Sequence, residues 1–168
     1  NRDEIRKRFN LEDEYVIGYV FKNQLRKSVP NLLRGFKIFK EKNPEIKSKL
    51  LLHTDWGERG WDIPRYVKEM ELNPEDVLAT YVCHACDFYH VGPYQGEDKG
   101  CPRCHKDKSF KTKTSNKGVG EKELNELYNC MDVYCHPFTS GGQELPIQEA
   151  KAAGLITLVT EYSCGTDS

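Results

Sequence analysis

Five short apolar runs, separated by stretches with helical spacing or helix caps, constrain this chain more than any other feature. Residues 16–20 form an apolar run bounded by charge, which reads as a buried strand. Ser28 and Pro30 open a helix that carries Val29, Leu32, Leu33, Phe36 and Phe39 on one face, and Asn43-Pro44 stops it. Residues 50–53 read as a second strand. Asp62 caps a helix with Ile63, Tyr66, Val67 and Met70 on one side, and residues 77–82 form a third strand. Residues 121–130 are helical through Leu124, Leu127 and Tyr128, and 133–136 are a fourth strand. Pro146 opens a last helix that Gly154 closes, and 155–160 complete a fifth strand. Such alternation predicts an α/β fold: a Rossmann-like, doubly wound parallel sheet with helices on both faces. Strands so covered are apolar on both sides. Ligands of these sheets bind at the carboxyl ends of the strands. The loops after Val20, His53, Val82, His136 and Glu161 are therefore the places for a site.

The 168 residues suit one domain spanning 1–168, and 38% apolar with 30% charged residues allow a single core. No run approaches the ~18 apolar residues of a membrane span. Residues 1–8 are charged, with no apolar leader after them. A formal charge of −1 argues against bulk nucleic-acid binding.

Residues 83–117 interrupt the rhythm. They hold Cys83-His-Ala-Cys86 and, after fourteen residues, Cys101-Pro-Arg-Cys104. Two CxxC turns at this spacing read as a zinc site, with four thiolates closing a tetrahedron. Four protein ligands leave no open position, so the zinc is expected to be structural and the segment a zinc-knuckle insertion folded by its metal. Two disulfides or four free thiols are the alternatives. His84, His90 and His105 lie nearby as further potential ligands. Seven cysteines in a long, patterned chain suit a reduced, cytoplasmic protein better than a disulfide scaffold. The stretch 103–117 holds six basic residues and one acid, Asp107. It is either a solvated loop or a patch for an anionic partner.

Two stretches suit an anionic ligand. Lys22, Arg26 and Lys27 gather between the first strand and the next helix, where that helix N-terminus adds partial positive charge. After the fourth strand come Gly141, Gly142 and Gln143, then Glu144, Leu145 and Pro146. The glycines admit close approach of the backbone, and the helix entry offers free amides. Glu149, one turn into that helix, can accept hydrogen bonds from vicinal hydroxyls. His53 and His136 end strands on the same side. The first strand is followed by Phe21-Lys-Asn-Gln rather than a GxGxxG turn, which argues against a dinucleotide-binding dehydrogenase.

The stretch 137–154 resembles the donor-binding signature of retaining glycosyltransferases of family 4, which have the GT-B architecture. There, two glutamates separated by seven residues span loop and helix, with Leu-Pro before the second. Leu145-Pro146 and Glu149-Ala150 match in register. The resemblance implies that Glu149 holds the nucleotide ribose. The first glutamate falls at 141, where this chain has Gly141; Glu144, three residues on, is the candidate to replace it as a catalytic-site carboxylate. Lys22 and Lys27 fit the spacing of the family's two basic residues on the donor diphosphate, with Arg26 competing for the second place. The turn at 73–77 and the segment 122–136 extend the likeness, so that it covers roughly 1–82 and 118–168. It implies a nucleotide diphosphate sugar as donor, no catalytic metal, and a sugar transfer with retention to an unidentified acceptor. It further implies a truncated C-terminal donor-binding domain. Its N-terminal acceptor-binding domain would be missing, and the domain would be inactive by itself. The contrasting reading is a catalytically inactive binding module. Its zinc knuckle and the lysines at 106, 108, 111 and 113 would hold an anionic partner.

Overall fold

The computed structural model describes residues 1–113 and 117–161. Its elements run α1 (Arg2–Arg8), β1 (Tyr15–Val20), α2 (Val29–Lys42), β2 (Ser48–His53), α3 (Ile63–Glu69), β3 (Val77–Cys83), β4 (Tyr89–Pro93), β5 (Phe110–Thr112), α4 (Glu121–Cys130), β6 (Val133–His136), α5 (Leu145–Ala152) and β7 (Ile156–Val159). Short 3-10 turns at Leu25–Lys27 and Pro74–Asp76 precede α2 and β3.

One sheet carries all seven strands in the order β4-β3-β2-β1-β6-β7, with β5 also paired to β3. β1, β2, β3, β6 and β7 are parallel; β4 and β5 run antiparallel to β3. This is the expected doubly wound sheet with two additional strands from the cysteine-bearing segment. The central strands are buried on both faces: Leu50, Leu51 and Leu52 in β2 are sealed from solvent, and every residue of β3 is buried. Gly18 in β1 exists for packing. A Cβ there would meet Met131 Sδ at 2.0 Å, so the strand and the end of α4 approach too closely for a side chain.

Three features depart from the pattern. Residues 2–8 form a helix, α1, that the charged sequence did not suggest. Its Arg6 is buried, and the guanidinium donates to the Cys130 carbonyl at 2.7 Å, to the Glu14 carbonyl and to Asp132. Tertiary contact, not an apolar stripe, therefore fixes this helix. Second, the segment 83–117 does not merely stand beside the sheet. Val91, Cys101 and Phe110 are buried with the main core, and Phe88 and Tyr94 pack against it. Third, β7 is not covered on both faces: Ile156 is 71% and Leu158 55% exposed. It is the outermost strand of the order: α5 packs on it, and among the described residues none covers the face that carries Ile156 and Leu158.

Candidate functional site

The strand order reverses direction between β1 and β6: the chain first builds β1, β2 and β3 to one side, then places β6 and β7 on the other. The crevice outside the carboxyl ends of two such strands is where a doubly wound sheet binds its ligand. β1 and β6 pair directly, Ile17 with Val133 and Gly18 with Tyr134. The loops that follow them, 21–28 and 137–144, are therefore side by side. Their backbones are joined: Thr139 N–H donates to the Arg26 carbonyl at 2.9 Å, and the Tyr19 hydroxyl reaches the Pro137 carbonyl at 3.0 Å.

Between these loops lies an ion pair. Lys27 Nζ is 2.6 Å from Glu144 Oε1, and the two side chains are only 4% and 10% exposed. Glu144 Oε2 lies 3.5 Å from Nε2 of the fully buried His136. His136 Nδ1 is 2.8 Å from the Tyr134 hydroxyl. Burial, with the Lys27 charge second, pushes the imidazole pKa down to about 3, so His136 is neutral at physiological pH. The Tyr134 hydroxyl donates its proton to the Val20 carbonyl at 3.1 Å, so at His136 it accepts from Nδ1–H, and the buried Nε2 facing the carboxylate has no hydrogen-bond partner. Glu144 also occupies the space over Gly141. A Cβ built at 141 would lie 2.4 Å from Glu144 Oε1 and 3.3 Å from its Cδ. A side chain on residue 141 and the carboxylate of Glu144 thus compete for one volume.

The other sequence-predicted residues are more open. Lys22 is exposed and 3.4 Å from Glu58, in the loop after β2. Asn23, fully buried, ties these two loops: its side chain donates to the Trp61 carbonyl and accepts from the Trp61 amide, both at 2.9 Å. Arg26, Gly142, Gln143 and Leu145 are exposed around the crevice. Glu149 is exposed on α5, and its Oε2 accepts from the Tyr128 hydroxyl at 2.7 Å. Glu149 and Tyr128 line a shallow cavity of 340 Å³ with Leu124 and Asn125. His53, at the tip of β2, is buried with an unpartnered Nδ1, and its pKa falls to about 3 through burial and then the charge of Lys113. The loop after Glu161 lies outside the described residues.

The four cysteines converge. Their sulfur atoms all lie within 4.8 Å of one another, a group that could hold a metal ion. The Cys83–Cys104 and Cys86–Cys101 sulfur distances are both 3.7 Å. A tetrahedron with metal–sulfur bonds of about 2.3 Å has edges of about 3.8 Å, whereas a disulfide brings sulfurs to about 2.05 Å. All the described cysteines are free thiols. The amides of Ala85 and of Arg103 donate to Cys83 and Cys101 sulfurs at 3.3 and 3.4 Å, as the turn of a CxxC knuckle directs. Ser109 lies 3.3 Å from Cys83 Sγ. No histidine joins the group.

The basic run does not form one face among its described residues, which exclude 114–116. Lys111 pairs with Asp98 at 2.5 Å and Lys117 with Asp87, while Lys106 and Lys108 are exposed. Lys113 is half-buried; burial lowers its pKa, and the Glu58 and Asp55 carboxylates after β2 oppose that shift. In the sequence that lysine reads only as part of the basic run, and nothing singles out Asp55, Glu58 or Tyr128 for a site. The alternation Phe110-Lys111-Thr112 is the only trace of β5 in the sequence, and three residues are too few to read as a strand.

No protein-family model matches the sequence, and no curated protein does. Solved structures do match. The C-terminal domain of a glycosyl transferase group 1 family protein (LpcC) from Francisella tularensis superposes with a TM-score of 0.60 at 14% identity, over 96% of this chain and 65% of that one. An apo structure of OtsA gives 0.60 at 13% identity, over 99% of this chain and 36% of that one. A structure described as trehalose-6-phosphate from E. coli bound with UDP-2-fluoro glucose gives 0.56 at 14% identity, over 99% and 37%. The chain thus spans less than two thirds of each of these proteins. No helix among the described residues is long and apolar enough to cross a membrane. At such identities the likeness is one of fold, and it agrees with the strand order: the chain has the Rossmann-like fold of a GT-B glycosyltransferase C-terminal domain, with a four-cysteine cluster built into one edge of its sheet.

Proposed function

We propose that this chain is the donor-binding domain of a retaining glycosyltransferase and holds a nucleotide diphosphate sugar in the crevice beyond β1 and β6. The observation that carries the reading is the buried Lys27–Glu144 pair, which joins the two loops at the switch in strand order. Lys22 and Arg26 are exposed on the same rim and suit the diphosphate. Lys27, paired inside, acts through Glu144 and by its charge rather than as an open phosphate ligand. Gly141, Gly142 and Gln143 present backbone at the entry to α5, and the exposed Leu145 stands at the first position of that helix. Glu149, oriented by Tyr128, takes the ribose hydroxyls.

Transfer breaks the bond between the anomeric carbon and the diphosphate oxygen, and negative charge develops on the departing diphosphate. Fixed cations and amides aimed at that oxygen lower the barrier. Glu144 stands where a side chain from position 141 would project, so we assign it the place of the carboxylate missing there. The four-cysteine cluster holds a structural zinc, away from the reacting atoms, and such thiolates suit the reducing cytoplasm. The acceptor belongs to a further domain of the same protein.

The test is a thermal-unfolding panel on the zinc-loaded protein with UDP, GDP, ADP and their common sugar conjugates. A ligand at about 100 times its Kd adds about 2.7 kcal/mol, a rise of roughly 5–11 °C for a domain of this size. The expected result is one nucleoside diphosphate standing out, with the shift removed by Glu149→Gln. No shift with any nucleotide, for folded and metal-loaded protein, overturns the proposal.

A further inference from the structure

We infer that the cysteine-bearing segment delivers a cation, Lys113, into the crevice to bind the diphosphate of the donor, so that the metal cluster supports ligand binding from a distance. The inference rests on the nucleotide-binding reading above and adds a contact outside the loops after β1 and β6.

The argument begins with strand register. β4 occupies one edge of β3 from Leu78 to Val82. On the opposite edge, β2 pairs with Val77, Leu78 and Ala79, and β5 pairs with Tyr81, Val82 and Cys83. β2 and β5 therefore meet end to end along the same edge. β5 runs antiparallel, so Thr112 stands opposite Tyr81, and the next residue descends onto the carboxyl tip of β2. That residue is Lys113, and the tip is His53, which feels the lysine charge. His53 O in turn accepts from the Phe21 amide, at the start of the loop after β1.

The position of Lys113 is fixed from both sides. Thr112 is fully buried; its hydroxyl donates to Glu97 Oε1 at 2.6 Å and accepts from the Trp56 amide at 3.0 Å. Upstream, Ser109 contacts the Cys83 sulfur, and its carbonyl accepts from the His84 amide at 2.8 Å. Only β5 separates that contact with the cluster from Lys113. Metal held by the four sulfurs thus fixes the start of β5, and Thr112 fixes its end.

Lys113 has the surroundings of a ligand-binding cation. It is half-buried, and no ion pair joins it to a described residue. Burial lowers its pKa; the charges of Glu58, Asp55 and Glu149, none of them in contact with it, oppose that shift, and Lys22 adds to it. Glu149 and Lys22 are the residues assigned above to ribose and diphosphate. A half-buried ammonium that feels both charges, without a carboxylate in direct contact, is suited to an anion that arrives with the ligand.

The experiment compares zinc-loaded wild type with Lys113→Met, Lys113→Arg and Lys111→Met, by titration calorimetry against UDP, GDP and ADP and the matching monophosphates. Zinc content and unfolding midpoint are recorded for each. Lys113→Met is expected to weaken the preferred diphosphate about tenfold or more, the effect of one charge-assisted hydrogen bond. It should weaken the monophosphate less and leave zinc content unchanged. Lys113→Arg should restore most of the affinity, and Lys111→Met, on the same strand but paired to Asp98, should change nothing. Chelating the zinc of wild type should lower diphosphate affinity at least as far as Lys113→Met. Lys113→Met binding the diphosphate as tightly as wild type overturns the inference, and unchanged affinity after chelation overturns the coupling to the metal. Wild type that binds no nucleotide at all overturns the site reading itself, a different outcome from either.

Discussion

Removing Glu144 strands a buried cation, and the cost follows from the geometry. Lys27 Nζ and Glu144 Oε1 are 2.6 Å apart with side chains 4% and 10% exposed. Their attraction is about 6 kcal/mol at an effective dielectric of about 20. Desolvating the two ions consumes several kcal/mol each, so the pair as a whole contributes little to net stability. Glu144→Ala removes the attraction but leaves Lys27 behind the loops, and breaking such a pair costs ~3–5 kcal/mol. At ~2–4 °C per kcal/mol for a domain of this length, the unfolding midpoint falls by roughly 6–20 °C. Lys27→Met combined with Glu144→Leu removes both charges and keeps the volume, so it should recover most of that loss. The assay is urea unfolding of Glu144→Ala and, closed as a double-mutant cycle, of Lys27→Met, Glu144→Leu and their double. A loss below about 1 kcal/mol in Glu144→Ala, or no coupling in the cycle, would refute the argument.

Gly18→Ala places a Cβ 2.0 Å from Met131 Sδ in a sealed core; the expected loss is ~1–3 kcal/mol or more by denaturant unfolding, and Met131→Ala in the same background should recover part of it. His53 and His136 both have pKa values lowered to about 3, against ~6.5 when unfolded. The unfolded chain binds more protons between those values, so their contribution is complete above pH ~6.5 and is lost as pH falls toward 3, at up to ~1.4 kcal/mol per pH unit for each. Unfolding midpoints measured from pH 7.5 to 4.5 should follow that slope, which His136→Gln should reduce. Metal analysis should find one zinc per chain, lost in Cys86→Ser or Cys104→Ser and kept in Cys130→Ser. Chelation should raise amide exchange at Phe110–Thr112 before the central strands.

The parts legible in the sequence were those with local causes. The run of leucines at 50–52 announced a strand covered on both faces, because burial on both sides leaves no polar alternation. The positions of His53 and His136 at strand ends followed from the same runs. The two CxxC turns announced a four-sulfur cluster, since each turn alone directs two thiolates to one point. Glu149 was readable because helix spacing fixes its place one turn into α5.

The remainder depends on residues distant in the chain. Lys27 and Glu144 are 117 residues apart, and only the adjacency of β1 and β6 turns a basic loop residue and a surface acid into a buried pair. Lys113 looked like one more charge in a basic run. Its place at the carboxyl tip of β2 follows from β5 sharing an edge of β3 with β2, a pairing with no periodicity to reveal it. The helix at 2–8 is held by Arg6 reaching carbonyls more than a hundred residues away and in the next loop. Local chemistry, read from spacing and composition alone, determined the α/β class, the cluster of thiols and the side of the sheet on which the candidate site lies. Which charges meet there was decided by tertiary structure, because a buried ion pair or a half-buried ammonium is a property of what surrounds it.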